Sequence, residues 1–265
     1  MQMYNNRGKI VATIEARMTS SRLPGKVLMD FCGKTDLQHI VERLGRSKYI
    51  DEIVVATTIN EEDNPIIDLC ENIGCKYYRG SEEDVLLRVL EAAKSVEADY
   101  IVEITGDCPV TDWRHSDHII EMFFSGEYDY VSNTIERTFP RGFDTQIFPV
   151  RILAEVNEIT QNPVDHEHVS IYIYTHPEKY KLLNWKADEK MNHPEFEITL
   201  DTIEDYEFIK QIYEILYLKD FDFSAQDVVN LLIKHPHMIK SLENTDRKNP
   251  FKEQKEWKEK HEKTI

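Results

Sequence analysis

Between residues 9 and 105 the chain repeats one pattern: a short run of β-branched and apolar residues, a polar break, then apolar residues at helical spacing. The first run is Lys9-Ile-Val-Ala-Thr-Ile-Glu15. Leu37, Ile40, Val41 and Leu44 then recur at helical spacing behind Asp36, and Glu52-Ile-Val-Val-Ala-Thr-Thr58 reads as a second buried strand. A helix near Pro65–Ile73, a strand at Cys75–Tyr78, a helix over Glu82–Val96 and a strand at Tyr100–Thr105 continue the alternation. Strands apolar along their length need cover on both faces, and the intervening helices supply it. The pattern predicts an α/β fold, a three-layer Rossmann-like arrangement around a mainly parallel sheet.

Beyond Thr105 the rhythm weakens. The sequence predicts a helix at His115–Phe124, a strand at Asp129–Ser132, an irregular stretch to Phe148, and helices at Val150–Ile159 and His166–Tyr174. Strands near Lys181–Trp185 and Phe196–Leu200 follow, then helices at Ile203–Tyr217 and Ala225–Ile233. No linker or internal repeat interrupts this, so residues 1–244 read as one domain. Residues 245–265 form a tail dense in Lys and Glu, either a solvated helix or disordered, with no chemistry assigned. Cys32, Cys70, Cys75 and Cys108 show no CxxC spacing and no signal peptide precedes them, so they read as reduced thiols of a cytoplasmic protein. No apolar run approaches the roughly 20 residues of a membrane span, and no membrane partner is expected.

A formal charge of −17 argues against long nucleic acid as a partner, since phosphate backbones are bound by basic surfaces. Local charge differs: from Arg7 to Lys26 there are Arg7, Lys9, Arg17, Arg22 and Lys26 against Glu15 alone. This island includes the loop Arg17-Met-Thr-Ser-Ser-Arg-Leu-Pro-Gly-Lys26, which directly follows the first strand, where open α/β sheets bind ligands. Gly25 lets backbone amides approach a phosphate, Ser20 and Ser21 offer hydroxyls, and Arg17, Arg22 and Lys26 bring positive charge. Such a loop suits a triphosphate, although the GxxxxGK[ST] spacing of the ATPase-type loop is absent.

Two further motifs place carboxylates at strand ends: Ile104-Thr-Gly-Asp-Cys-Pro109 and Glu197-Ile-Thr-Leu-Asp201. Asp107 and Asp201 could share a magnesium ion, which takes oxygen ligands and keeps several waters. Asp201 equally fits a helix N-cap, with Glu204 completing a capping box. Asp84 and Arg88, four apart, could form an ion pair on one helix. The pairs His166/His168 and His235/His237 lack a third and fourth ligand nearby and read as hydrogen-bonded or surface histidines rather than a zinc site.

The runs Ile14-Glu-Ala-Arg-Met-Thr-Ser-Ser-Arg-Leu-Pro-Gly-Lys-Val-Leu28, Asp51-Glu-Ile-Val-Val-Ala-Thr-Thr58, Arg79-Gly-Ser-Glu-Glu-Asp-Val-Leu86, Thr105-Gly-Asp-Cys-Pro109 and Asp129-Tyr-Val-Ser-Asn133 resemble the spore-coat-polysaccharide-type cytidylyltransferases. These are similar to bacterial CMP-Kdo and CMP-sialic acid synthetases, and the resemblance covers about residues 8–215. It implies a GT-A-like nucleotidyltransferase fold, magnesium on Asp107 and Asp201, and CTP phosphates gripped by Arg17, Ser21, Arg22 and Lys26. Ala16, Thr57, Arg79, Ser81 and Asp84 fall in matching stretches and are implied to contact the nucleotide. On the acceptor side it implies Asn133, Arg137, Arg141, Asp144, Glu167 and His168, the arginines meeting a carboxylate or phosphate of a small anionic or sugar-like acceptor. The family more often has Pro-Asp-Gly where this chain has Pro140-Arg141-Gly142, which leaves either a more anionic acceptor or a surface substitution. A homodimer is implied, built from a dimerisation and acceptor-binding portion around residues 133–195, with Tyr172–Tyr180 as contact or as monomer core. The expected reaction is transfer of CMP to the acceptor with release of pyrophosphate, for surface polysaccharide or glycoconjugate synthesis. The alternatives are a GT-A-type glycosyltransferase, whose usual Asp-x-Asp is missing at Asp107-Cys108-Pro109, and a non-catalytic nucleotide-binding protein of the same fold.

Overall fold

The structure, a computed structural model, describes residues 7–239 and 250–261. The chain runs β1 (Ile10–Glu15), a hairpin of β2 (Asp30–Phe31) and β3 (Lys34–Thr35), α1 (Asp36–Leu44), β4 (Glu52–Thr58), α2 (Asn64–Ile73), β5 (Lys76–Gly80), α3 (Val85–Ser95), β6 (Tyr100–Thr105) and α4 (Trp113–Phe124). It continues with β7 (Tyr130–Ser132), β8 (Gln146–Pro149), α5 (Val150–Ile159), α6 (Pro163–Glu167), α7 (Ile171–Tyr174), β9 (Leu182–Asn184), α8 (Ile203–Leu216), α9 (Ala225–Lys234) and α10 (Pro250–His261).

A seven-stranded sheet has the order β5-β4-β1-β6-β8-β7-β9. Its first four strands are parallel, β8 runs antiparallel between β6 and β7, and β9 is parallel to β7. Alternation along β1 and β6 divides the core. Ile10, Ala12, Ile14, Val102 and Ile104 pack with Leu37 and Ile40 of α1 and Ile119 and Ile120 of α4. Val11 and Ile101 face the other way, onto Leu86 and Val89 of α3 and Leu153 and Val156 of α5. On that second face the residues that follow are Thr13 and Glu15 on β1 and Glu103 and Thr105 on β6. The face is apolar at its amino end and polar at its carboxyl end, which locates a site before any ligand is considered.

Three expectations from the second half are corrected. Residues 196–200 do not join the sheet; they make a single bridge, Arg141 to Glu197, because the segment packs with α8 and α9 as a separate apolar cluster around Phe139, Phe143 and Ile198. The helix expected at His166–Tyr174 is two, α6 and α7, broken at Val169, which takes a left-handed φ of 48° that a β-branched residue rarely adopts. The irregular stretch before Phe148 contains β8. The charged tail contains α10, which docks on α6 where the Gln254 amide donates to Asp165 at 2.6 Å. Residues 245–249 and 262–265 of that tail lie outside the described residues. Tyr180 is buried in the monomer's own core and Tyr172 packs beside it, stacking on His176. No helix among the described residues is long and apolar enough to cross a membrane, and all four cysteines are free thiols.

Candidate active site

The loop that leaves β1 closes on itself where the N–H of Gly25 donates to the carbonyl of Met18 at 2.8 Å. Gly25 holds φ at 73°, a left-handed value that a side chain would strain. Underneath, the N–H of Met18 donates to Asp63 at 2.6 Å. Glu82, just ahead of α3, receives Arg17 at 3.0 Å, Thr19 at 2.6 Å and Asn60 at 2.6 Å. The loop is therefore tied at its base, while Arg17, Ser21 and Arg22 are exposed at its rim and Ser20 is half-buried.

Lys26 sits at the loop's inner end, and its ammonium donates to Asp201 Oδ1 at 3.0 Å, Asp107 Oδ2 at 3.4 Å and the Leu200 carbonyl at 2.8 Å. The two aspartates come from distant sequence but are held together by the Leu200 N–H, which donates to the Asp107 carbonyl at 2.9 Å. The turn carrying Asp107 lies directly against β1: the Gly106 N–H donates to the Glu15 carbonyl at 2.9 Å, and a Cβ at Gly106 would fall 2.5 Å from that oxygen. Only glycine permits this approach. Arg22 reaches Asp201 at 2.8 Å. Burial alone would raise the Asp107 carboxyl, but the Lys26 ammonium and a hydrogen bond from Thr105 override it and hold the group below the usual carboxylate range. Burial likewise disfavours the charged form of Lys26, and the two aspartates outweigh it, raising that amine.

Asp201 is not the helix cap. Thr202 caps α8, and Asp205 rather than Glu204 completes the capping box. Relieved of that task, Asp201 converges with Asp107 on one cationic atom. Two carboxylates converging in this way are a donor set that suits a hard divalent ion, and the lysine ammonium stands at the position such a cation would share.

Several residues expected at the nucleotide are committed elsewhere. Thr57 is fully enclosed in β4, where both faces of the strand are covered, and presents no surface. Ala16 is buried, its N–H directed at the Ala56 carbonyl at 3.3 Å. Arg79 donates to the carbonyls of Thr58 at 2.9 Å and Asn60 at 2.7 Å, bracing the turn after β4. Ser81 accepts from the Asp84 N–H at 3.0 Å, and Asp84 caps α3 at the Leu87 N–H and meets His166 at 2.8 Å. Asp84 and Arg88 form no ion pair, because Arg88 turns to the carbonyls of Ser81 and Glu82. This segment supports the loop through Glu82, a residue the sequence reading passed over.

Next to Asp107 and Asp201 opens a chamber of about 890 Å³. Arg137 and Arg141 both line it, and both face carboxylates: Arg137 grips Asp144 through two hydrogen bonds of 2.7 and 2.8 Å, and Arg141 lies 3.8 Å from Glu197. Asn133 does not reach the chamber. It is buried and latches the chain, donating to the Phe143 carbonyl at 2.8 Å and accepting from the Thr145 N–H at 3.0 Å. Glu167 and His168 also line the chamber and, with Glu253 of α10, place three possible ligand atoms within 4.8 Å of one another. His166 is turned away, held between Asp84 and the Thr160 carbonyl at 3.1 Å.

Two lining residues went unread as candidates, Glu15 and Glu103. Their signal was present: each is a lone carboxylate in a run that a parallel sheet covers on both faces.

With this geometry established, comparison with known proteins decides the family. The family model described as cytidylyltransferase matches residues 11–249. The chain belongs to the cytidylyltransferase family. It is 33% identical to the spore coat polysaccharide biosynthesis protein SpsF of Bacillus subtilis over 234 residues, covering 86% of this chain and 95% of that one. The solved structure of a cytidylyltransferase from Leptospira borgpetersenii serovar Hardjo-bovis is 33% identical and superposes with a TM-score of 0.83, over 91% of this chain and all (100%) of that one. A CMP:2-keto-3-deoxy-manno-octonic acid synthetase complexed with CTP shares the fold, with a TM-score of 0.60 at 19% identity, over 78% of this chain and 99% of the other. The cytidylyltransferase is thus a nucleotidyltransferase with the three-layer, mainly parallel architecture that its first hundred residues predict.

Proposed function

We propose that this cytidylyltransferase transfers CMP from CTP to a hydroxyl of a small sugar-like acceptor and releases pyrophosphate. The observation that carries the reading is the position of Lys26 between Asp107 and Asp201, where the basic loop meets the chamber. The exposed rim of Arg17, Ser21 and Arg22 suits the β- and γ-phosphates, and Lys26 is placed to follow charge onto the leaving pyrophosphate. Asp107 and Asp201 would hold a magnesium ion, which when bound polarises the α-phosphate and offsets its developing charge. Lys26 then exchanges its carboxylate partners for phosphate oxygens. The chamber beyond holds the acceptor, with its attacking oxygen on the Asp107 side. Since the Bacillus subtilis relative is named for spore coat polysaccharide biosynthesis, a nucleotide-activated sugar for a surface polysaccharide is the product we assign.

Pyrophosphate release is measured with each nucleoside triphosphate in turn, with magnesium and a panel of sugars and sugar acids. Acceptor-dependent release with CTP supports the reading. Nucleotide binding without release under every acceptor would instead mark a binding protein that has kept the fold.

A further inference from the structure

Glu15 and Glu103 stand on adjacent parallel strands. The register pairs Thr13 with Glu103 and Glu15 with Thr105, so the two carboxyl groups are diagonal neighbours on one sheet face, and both line the chamber. Glu103 is 4% exposed, and its Oε2 is enclosed with no hydrogen-bond partner. Oε1 of Glu15 is enclosed and unpartnered in the same way. Arg88 lends Glu15 some positive field from α3, but its hydrogen bonds go to backbone carbonyls. Glu103 is buried and Glu15 half-buried, and two such neighbouring acids, each with an oxygen left over, are costly to ionise unless something beside them donates hydrogen bonds and carries positive charge. Elsewhere in the chamber the basic groups are matched, Arg137 by Asp144 and Arg141 by Glu197, which leaves this end acidic.

We propose that Glu15 and Glu103 form a subsite for a protonated amino group, so that the acceptor is an amino-substituted, polyhydroxylated sugar-like molecule. The proposal rests on the cytidylyltransferase reading and deepens it. An ammonium brings a positive charge and three donors, enough to serve both carboxylates that line this end of the chamber. An N-acetyl group in its place is neutral, brings one donor and adds bulk, leaving one acid unsatisfied.

The test uses thermal stabilisation of the full chain by glucosamine, galactosamine and muramic acid, each against its N-acetyl counterpart, with and without CTP and magnesium. At least one free amine is expected to bind about tenfold tighter than its acetylated partner, as a charge-assisted contact implies. Glu15→Gln and Glu103→Gln should each erase that preference. Equal binding, or none, within every pair overturns the proposal, and so does a preference that survives both substitutions. The stabilisation of each variant by CTP and magnesium reports that it is folded. Should CTP fail to stabilise any form of the chain, the cytidylyltransferase reading falls, while the amine preference measured without nucleotide is still read on its own.

Discussion

The ammonium of Lys26 lies 3.0 Å from the carboxylate of Asp201, bridging a loop from the first strand to a segment 175 residues later. Both side chains are about 13% exposed, so the contact is worth more than a surface ion pair. Lys26→Met leaves Asp107 without its cation and Asp201 with Arg22 alone. It should lower turnover by about a hundredfold or more, the scale of losing one preorganised electrostatic contact. It should also lower stability, by at most about 3 kcal/mol, because Asp107 loses its cationic partner while Asp201 keeps only Arg22. Magnesium should then raise the melting temperature of the variant more than that of the wild type. Equal magnesium responses would mean that the two aspartates do not share the ion.

Asp201 and Thr202 are adjacent and do different work, so substitution separates them. Thr202→Ala removes the cap of α8 and should cost about 1 kcal/mol in denaturant unfolding while leaving turnover near normal. Asp201→Asn should do the reverse, with a large loss of turnover and a small change in stability. If Thr202→Ala proves the more damaging to catalysis, the assignment of Asp201 to the metal is wrong.

Glu82 gathers Arg17, Thr19 and Asn60, and hydrogen bonds from Thr19 and Asn60, with the charge of Arg17, hold its carboxyl below the usual range. It touches no part of the chamber, so its effect on catalysis runs through the loop. Glu82→Ala should raise KM for CTP several-fold, about fivefold if one preorganising contact of roughly 1 kcal/mol is lost, and change kcat much less. Steady-state kinetics at saturating acceptor make the distinction.

How far the sequence could be read follows from where each signal comes from. Residues 9–105 were legible because the central strands β1, β4 and β6 are covered on both faces, so apolar runs and helical spacing report the fold directly there. Phe139, Phe143 and the chain from Met191 onward pack with Phe31 and Val110 as a separate apolar cluster, and residues 196–200 look like a strand because they are extended with apolar residues alternating, although their partners are Arg141 and Asp107 rather than a ladder. The basic loop of the candidate site was legible from local composition: Arg17, Arg22 and Lys26 break the acidic background, and Gly25 marks the turn. The inner half was not. That Arg137 is matched by Asp144, that Asn133 is a latch, and that Thr57 is sealed in β4 are all consequences of long-range packing that local spacing does not encode.

The last prediction concerns pH, and its sign follows from Glu103. Burial pushes its carboxyl up to about 7, even though hydrogen bonds from Ser170 and Gln146 pull the other way. Burial and the neighbouring Glu103 also raise Glu15, against the field of Arg88. In the unfolded chain both acids ionise near pH 4.5, so above that pH the folded state carries protons that the unfolded state has lost. Stability contributed by protonated Glu103 is fully present below pH 4.5 and is lost as the pH rises towards and through 7. Asp107, held below its ordinary range, acts in the opposite sense: its contribution is present above the unfolded value and is lost only as the pH falls through the folded one. The two effects act on different sides of the curve. Glu103→Gln should therefore leave stability at pH 5 nearly unchanged and raise it at pH 8, by up to about 3 kcal/mol for a shift of that size. Denaturant unfolding of the two proteins across this range provides the measurement. A variant less stable than the wild type at pH 8 would show that Glu103 is ionised and well matched in the folded chain, contrary to the unpartnered oxygen seen at the chamber's inner end.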